Sequence, residues 1–323
     1  MIARRALFSH HLMGSGVELG PGHNPYPLDL PGIDVRYVDR WEPDANSELF
    51  PELGEEAAFP RPDIIANLDR DRLGALDDAS VDFVIASHVL EHLADPIGIL
   101  DDIHRVLRPG GVLLILLPDR HRTFDQFRDP TDLDHLTVEH EAGITEVDDA
   151  HIEAFLLATA PRDMPRSQYL SDDPDVRRGQ IDVHRRRSVH VHCWDQDEFL
   201  PVLEFSIRSL GCRWEFVDAV LTEEGGPESI EFGFVVRKAI ALLPPPVMAD
   251  RFDRAWRAWR EGHVGELARN PVGSMPPSDD HRHELEQLRQ ELDATRAELQ
   301  SLRTTKTFRY TEAGRRAYGR LIR

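Results

Sequence analysis

Three groups of side chains in this sequence have the types and spacing to do chemistry. The first is GVELGPGHNP at 16–25, where an apolar run ends in an acid, Glu18, followed by Gly20 and Gly22. Two glycines one residue apart let the backbone turn sharply and approach a ligand with no Cβ in the way. Glu18 could fix that turn or receive a positively charged amino group. A dinucleotide fingerprint needs a third glycine three residues after the second, and Pro25 stands there. Pro25 and Pro27 also stop a helix from starting at once, so a pyrophosphate would lack the helix N-terminus it uses. The second group is SHVLEHL at 87–93. On a helix His88, Glu91 and His92 would share one face, where two imidazoles and a carboxylate can hold a divalent cation or orient one another. The third is the His-rich pair PDRHRTFDQFRDPTDLDHL and VHVHCW, which ends at Trp194. Imidazole titrates near neutral pH and can accept a proton from a weak acid such as an alcohol.

The elements that must position these groups alternate between strand and helix. Apolar, β-rich runs fall at Val17 to Leu19, Val35 to Val38, Ile64 to Ala66, Val81 to Ala86 and Val112 to Leu117. They are continuous rather than alternating, as in parallel strands covered on both faces. The clearest helix is DPIGILDDIHRVLRPGG: Asp95 is a good N-cap and Pro96 suits the first helical position. Its stripe is Ile99, Leu100, Ile103, Val106 and Leu107, with Gly110 and Gly111 expected to stop it. The runs at 212–221 and 228–238 are joined by TEEGGP, a link so short that only an antiparallel pair is possible. The expected fold is α/β, a doubly wound, Rossmann-like seven-stranded sheet with a C-terminal antiparallel hairpin. An insertion at 119–192 precedes the helix DQDEFLPVLEFSIRSL, beyond the strand ends where such folds place substrate.

The charge divides the chain. With 58 Asp and Glu against 38 Lys and Arg, the 323 residues carry a formal charge of -20. A body so acidic argues against a nucleic-acid groove, which gains by releasing counterions to a basic face. No apolar run approaches the roughly 18 residues of a membrane span, and MIARRALFSHH has no apolar leader core. A cytoplasmic protein is expected, and Cys193 and Cys212 are expected to be inert buried thiols. From Gln300 to Arg323 seven basic residues face one acid, Glu312. LLPPPVMAD and NPVGSMPPSDD read as linker, and Leu285, Leu288, Leu292, Thr295, Leu299 and Leu302 as an a/d seam. The expected organisation is a domain at 1–243, a linker with a short helix at 244–280, a C-terminal coiled-coil helix at 281–303 and a basic tail at 304–323.

GVELGPGHNP, VRYVDR, SVDFVIASHVLEHL and IHRVLRPGGVLLILLPD resemble, in order and spacing, the motifs of class I S-adenosylmethionine-dependent methyltransferases of the Methyltransferase-11 kind. The resemblance covers about residues 14–118, and 195–238 by pattern. It implies that Glu18, Gly20 and Gly22 hold the methionine end of S-adenosylmethionine and that Asp39 takes both ribose hydroxyls. It also implies that Asn67 and Leu68 border the adenine and that Ser87 and His88 lie under the sulfonium. Two positions depart from the pattern: Asn24 replaces a third glycine, and Asn67 stands where an acid is usual, with Asp69 close by. Similar Glu-His pairs after the fourth strand are linked to a metal in some methyltransferases, which makes His88, Glu91 and His92 candidate ligands of a divalent cation such as magnesium.

For methyl transfer to an alcohol, His135 is the first candidate base, His192 the second and His121 the third. Asp125 and Arg128 could grip neighbouring hydroxyls, and Trp194 could offer a flat face to a sugar ring. TFDxxRxxTxxxHL and HVHxW resemble a subgroup of bacterial methyltransferases associated with surface glycans, and the ending SLRTTKTFRYTEAGRRAYGRLIR resembles tails of glycosyltransferases acting on such glycans. A sugar O-methyltransferase is therefore expected. The alternatives are an O-methyltransferase for a small phenol, quinone precursor or natural product, and a non-catalytic subunit of a glycosyltransferase assembly. The heptads would pair with a second copy or a glycosyltransferase, and the basic tail would suit an anionic inner membrane face.

Overall fold

The computed structural model describes residues 8–28, 31–54, 58–159, 170–224 and 229–269. Its centre is a seven-stranded sheet in the order β3-β2-β1-β4-β5-β7-β6. Strands β1 (Gly14–Leu19), β2 (Ile33–Asp39), β3 (Ile64–Ile65), β4 (Val81–Ser87) and β5 (Leu107–Pro118) run parallel. The strands that close the chain order, β6 (Trp214–Val220) and β7 (Glu231–Lys238), are antiparallel, with β7 inserted between β5 and β6. The expected sheet and hairpin are thus present. The chain winds outward in both directions from β1, which pairs with β2 on one side and β4 on the other. A sheet that reverses its order there opens a crevice beyond the strand ends.

Helix α1 (Pro43–Leu49) follows β2, and α2 (Pro96–Val106) joins β4 to β5. The Asp95 carboxylate accepts from the Gly98 amide at 2.8 Å, so the expected cap is in place. The stop is earlier than expected. Extended backbone begins at Leu107, and Gly110, at φ +87°, lies inside β5 instead of ending the helix. Burial decides this: Leu107 and Val112 onward are core residues and serve the sheet.

The insertion contributes α3 (Leu133–Ala142), α4 (Asp149–Thr159) and α5 (Pro174–Arg187). Ile152, Leu156, Leu170, Ile181, Val189 and Val191 give it a small apolar core of its own. Helix α6 (Gln196–Arg208) starts with a capping box: the Asp195 side chain accepts from Asp197 and Glu198 amides while the Glu198 side chain accepts from the Asp195 amide. Cys193 and Cys212 are free and buried, and burial raises the Cys193 thiol to about 11.

Helix α7 (Pro245–Arg269) revises the linker boundary. Met248, Phe252 and Trp256 are buried, and Trp256 packs on Phe216 and Phe234 of the hairpin. The first compact unit therefore runs to Trp256; the second, Arg257–Arg323, is described only as helix up to Arg269. The expected coiled coil at 281–303 and basic tail at 304–323 lie outside the described residues. Among the described residues no helix is long and apolar enough to cross a membrane.

Candidate functional site

A cavity of about 600 Å³ opens at the crevice beyond β1, β2 and β4, a size suited to a cofactor-sized ligand. Gly20 and Gly22 line it, both at φ +53°, the left-handed backbone state that glycine adopts at least cost. A Cβ on Gly20 would also stand 3.2 Å from Val89. Glu18 does not line the cavity. It is buried beneath the turn and accepts the Tyr26 amide at 2.7 Å, so it fixes the loop, one of its two expected roles.

Asp39 lies at the cavity edge where β2 ends and accepts the Arg40 amide at 2.6 Å. Burial raises its pKa, opposed by hydrogen bonds from the Arg40, Trp41 and Gly22 backbone and the Asn46 side chain. Asn67, Leu68, Ser87 and His88 also line the space, so seven of the eight predicted cofactor residues surround it. Trp41, Phe50, Leu53 and Phe59 supply an apolar wall that the sequence reading missed; nothing in their spacing announces it. Asp69 joins the rim. Burial lifts its carboxyl to about 6, although its Oδ1 accepts the Ala94 amide at 2.7 Å.

His88 follows β4 with φ +55°, uncommon outside glycine and worth a functional reading. Its Nε2 is 2.8 Å from Glu231 of β7, and its Nδ1 is 3.6 Å from Glu91. The next residues are not an α-helix. Leu90–His92 make a single 3₁₀ turn, so the expected shared helix face for His88, Glu91 and His92 does not exist. The three still converge, because Glu91 lies between the two imidazoles, 3.7 Å from His92 Nε2. Beside the cavity, a set among the described residues whose geometry could hold a cation is Glu91, His92 and His190, since His88 is turned to Glu231. Glu91 is fully buried, and neither carboxylate oxygen has a hydrogen-bond partner among the described residues. His92 Nδ1 is 2.9 Å from the Val189 carbonyl, and burial lowers its pKa to about 4, leaving a neutral ring.

The residues expected to act on the acceptor are placed elsewhere. His135, His192 and His121 are absent from the cavity lining. His135 Nε2 is 3.0 Å from His151 Nε2 and 3.2 Å from Glu139. His192 is fully buried, which drives its pKa well below the usual range, and His121 is half-exposed beside Asp195. Asp125, Arg128 and Trp194 do not line the cavity and are engaged with other parts of the protein. Arg128 donates to Asp125, to the His190 carbonyl and to the Val191 carbonyl, each at 2.7 Å, and His190 Nδ1 is 2.5 Å from the other Asp125 oxygen. Trp194 is 1% exposed, donates to the Thr131 carbonyl at 3.0 Å and packs between His192 and Phe199, so no sugar can reach its face. His92, Arg186, Arg187 and Ser188 add to the polar lining of the cavity, with His23, Asn24, Arg40 and Asn46.

Strand order, hairpin and crevice together make a Rossmann-like, doubly wound sheet with a C-terminal antiparallel hairpin. Residues 17–115 match the family model described as a methyltransferase domain. A curated relative from Mycolicibacterium smegmatis, named as a probable S-adenosylmethionine-dependent methyltransferase, is 36% identical over 162 residues. That match spans 39% of this chain and 59% of the relative. Similar solved structures include a SAM-dependent methyltransferase from Methanosarcina mazei, at 16% identity and TM-score 0.37 over 73% of this chain and 98% of that one. Another is the 1,6-didemethyltoxoflavin-N1-methyltransferase of Burkholderia thailandensis with bound S-adenosylhomocysteine, at 17% identity and TM-score 0.38 over 73% and 77%.

Proposed function

We propose that this chain is an S-adenosylmethionine-dependent O-methyltransferase that methylates a hydroxyl of a sugar or glycan in cell-surface polysaccharide biosynthesis. The observation that carries the reading is one cavity shared by the Gly20 to Gly22 turn, the Asp39 carboxylate and the His88 ring. S-adenosylmethionine supplies the electrophilic methyl group. The chain's residues bind and orient. The glycine turn admits the methionine end, Asp39 accepts from the ribose hydroxyls, and Leu68 with Trp41, Phe50 and Phe59 shields the adenine from water. Bringing nucleophile and sulfonium together supplies most of the acceleration in such a displacement.

His88 takes the hydroxyl proton, a role worth about 10²–10⁴-fold. The Glu231 carboxylate, 2.8 Å from Nε2, accepts that nitrogen's N–H, so the proton arrives at Nδ1, and Glu231 with Glu91, 3.6 Å from Nδ1, stabilises the imidazolium that forms. A divalent cation, if the reaction uses one, is held by Glu91, His92 and His190. The polar lining that includes His92, Arg186, Arg187 and Ser188 supports a polyol acceptor, as does the resemblance of the TFDxxRxxTxxxHL string to glycan-associated enzymes. In this reading the protein works in the cytoplasm at the inner membrane face, with the basic tail on anionic lipid and the heptads on a second copy or a glycosyltransferase.

The test is transfer of label from methyl-labelled S-adenosylmethionine to sugar and lipid-linked glycan extracts, against a panel of phenols, with and without chelator. Label in the glycan fraction is expected, with kcat reduced at least about 10²-fold in His88→Gln and S-adenosylhomocysteine affinity unchanged. Label in phenols alone would favour the small-molecule reading. Tight cofactor binding with no transfer to any acceptor would favour the non-catalytic subunit.

A further inference from the structure

Away from the cavity, the insertion gathers three more ligand-type side chains around one point. His135 and Glu139 are one turn apart on α3, and His151 comes from α4. His135 Nε2 lies 3.0 Å from His151 Nε2 and 3.2 Å from Glu139 Oε2, and His151 Nε2 lies 3.2 Å from Glu139 Oε1. A tetrahedral ion with ~2.0–2.1 Å bonds separates its ligand atoms by roughly 3.3 Å, so these spacings are those of ligands around a common centre. The outer partner is also present. His151 Nδ1 is 2.8 Å from the Asp148 carboxylate, the second contact that fixes a metal-bound imidazole with Nε2 free to ligate.

A separate observation points at the same place. His192 is fully buried, and neither ring nitrogen makes a hydrogen bond of good geometry among the described residues, with only a marginal approach to the Ala94 backbone. Its Nε2 is 3.9 Å from Glu139 Oε2, and its ring faces those of His135 and His151 at 5.8 and 5.9 Å. An imidazole enclosed with at most one marginal backbone partner is costly unless something else occupies that side.

We propose that His135, Glu139 and His151, with His192 moving in as a fourth ligand, form a binding site for a divalent transition metal of the zinc type. Imidazole nitrogens select zinc and its neighbours over magnesium, which prefers oxygen. Four protein ligands close the coordination sphere, the arrangement of structural sites. The ion clips α3 and α4 to the 189–194 segment, where His190 and Val191 carbonyls receive Arg128. This inference is independent of the methyl-transfer reading and of the acceptor.

The test uses the full chain without an affinity tag, stripped by chelator and titrated with Zn²⁺ or Co²⁺ while heat, visible absorption and melting temperature are followed. One ion per chain is expected with a dissociation constant below about 1 μM, intense cobalt bands of a tetrahedral site, and a higher melting temperature. His135→Ala changes a side chain that is 40% exposed and should leave the fold intact; it and Glu139→Gln should weaken binding at least about 100-fold. His92→Ala, which disables the Glu91, His92 and His190 set, should not abolish this event. Absence of stoichiometric binding, or binding unchanged in both His135→Ala and Glu139→Gln, would overturn the site.

Discussion

Arg128 gives a sharp way to separate a structural motif from a substrate grip. Its side chain is 11% exposed, and its guanidinium makes three hydrogen bonds of 2.7 Å to Asp125 and to the His190 and Val191 carbonyls. Asp125 is fully buried. Burial opposes its charge, but His190 and the Arg128 guanidinium hold its pKa below the usual carboxylate range. Arg128→Met keeps the length of the side chain and removes every one of these bonds, leaving a buried carboxylate that faces only His190 and Thr123. Breaking a buried pair from one side costs about 3–5 kcal/mol. For a unit of this size that is roughly 6–20 °C in melting temperature. Thermal melting of parent and variant measures it, with acceptor KM determined at a temperature where both are folded. The structure predicts a large drop in melting temperature and an unchanged KM. A shift under about 2 °C with a raised KM would refute the brace and restore the hydroxyl-gripping role.

Three further outcomes follow from the geometry. Asp39→Ala should weaken S-adenosylhomocysteine binding by about 10- to 10²-fold, the loss of one or two charge-assisted hydrogen bonds, as read by calorimetry. His104 should make the fold acid-sensitive: its Nε2 accepts the Arg213 amide at 2.9 Å, and burial, then Lys238 and Arg213, lower its pKa to about 4. The unfolded chain protonates this histidine near 6.5 and the folded one near 4. Stability is therefore intact above pH 6.5 and lost as the pH falls toward 4, by up to about 3 kcal/mol; denaturant melts should show this slope flattened in His104→Gln. Lys238→Met should destabilise the fold by about 2–4 kcal/mol, because the buried ammonium donates to the His104 and Leu107 carbonyls, at 2.5 and 2.7 Å, where α2 ends. An unchanged denaturation midpoint would contradict that cap.

The fold was legible because its signals are local and periodic. Continuous apolar strands, the Asp95 and Pro96 helix start and the short TEEGGP link each constrain a few residues at a time. The cofactor positions came from the resemblance to methyltransferase motifs, and Gly20, Gly22, Asp39 and Ser87 do line one cavity because each lies where a strand ends. The acceptor side was not legible. His135, Asp125 and Arg128 have the residue types of a catalytic loop, but their directions depend on how the insertion packs, and that packing buries Asp125 and Arg128 and sets His135 against His151 and Glu139, away from the cavity. His88 was assigned to the cofactor and to a candidate cation set, and not as a base, because its partner, Glu231, is 143 residues away on β7. No spacing rule reaches that far. The SHVLEHL helix failed for a related reason: a pattern that fits a helical face also fits one 3₁₀ turn, and here the residues after β4 turn toward Glu231 and Val189.

The central claim is that the cavity at the ends of β1, β2 and β4 holds S-adenosylmethionine. Equilibrium titration of the full chain with S-adenosylhomocysteine tests it most directly. One saturable equivalent per chain is predicted, weakened by Asp39→Ala and prevented by Gly20→Val, which would force a branched side chain against Val89 at positive φ. No saturable binding by the folded parent, or binding untouched by both substitutions, would contradict the account.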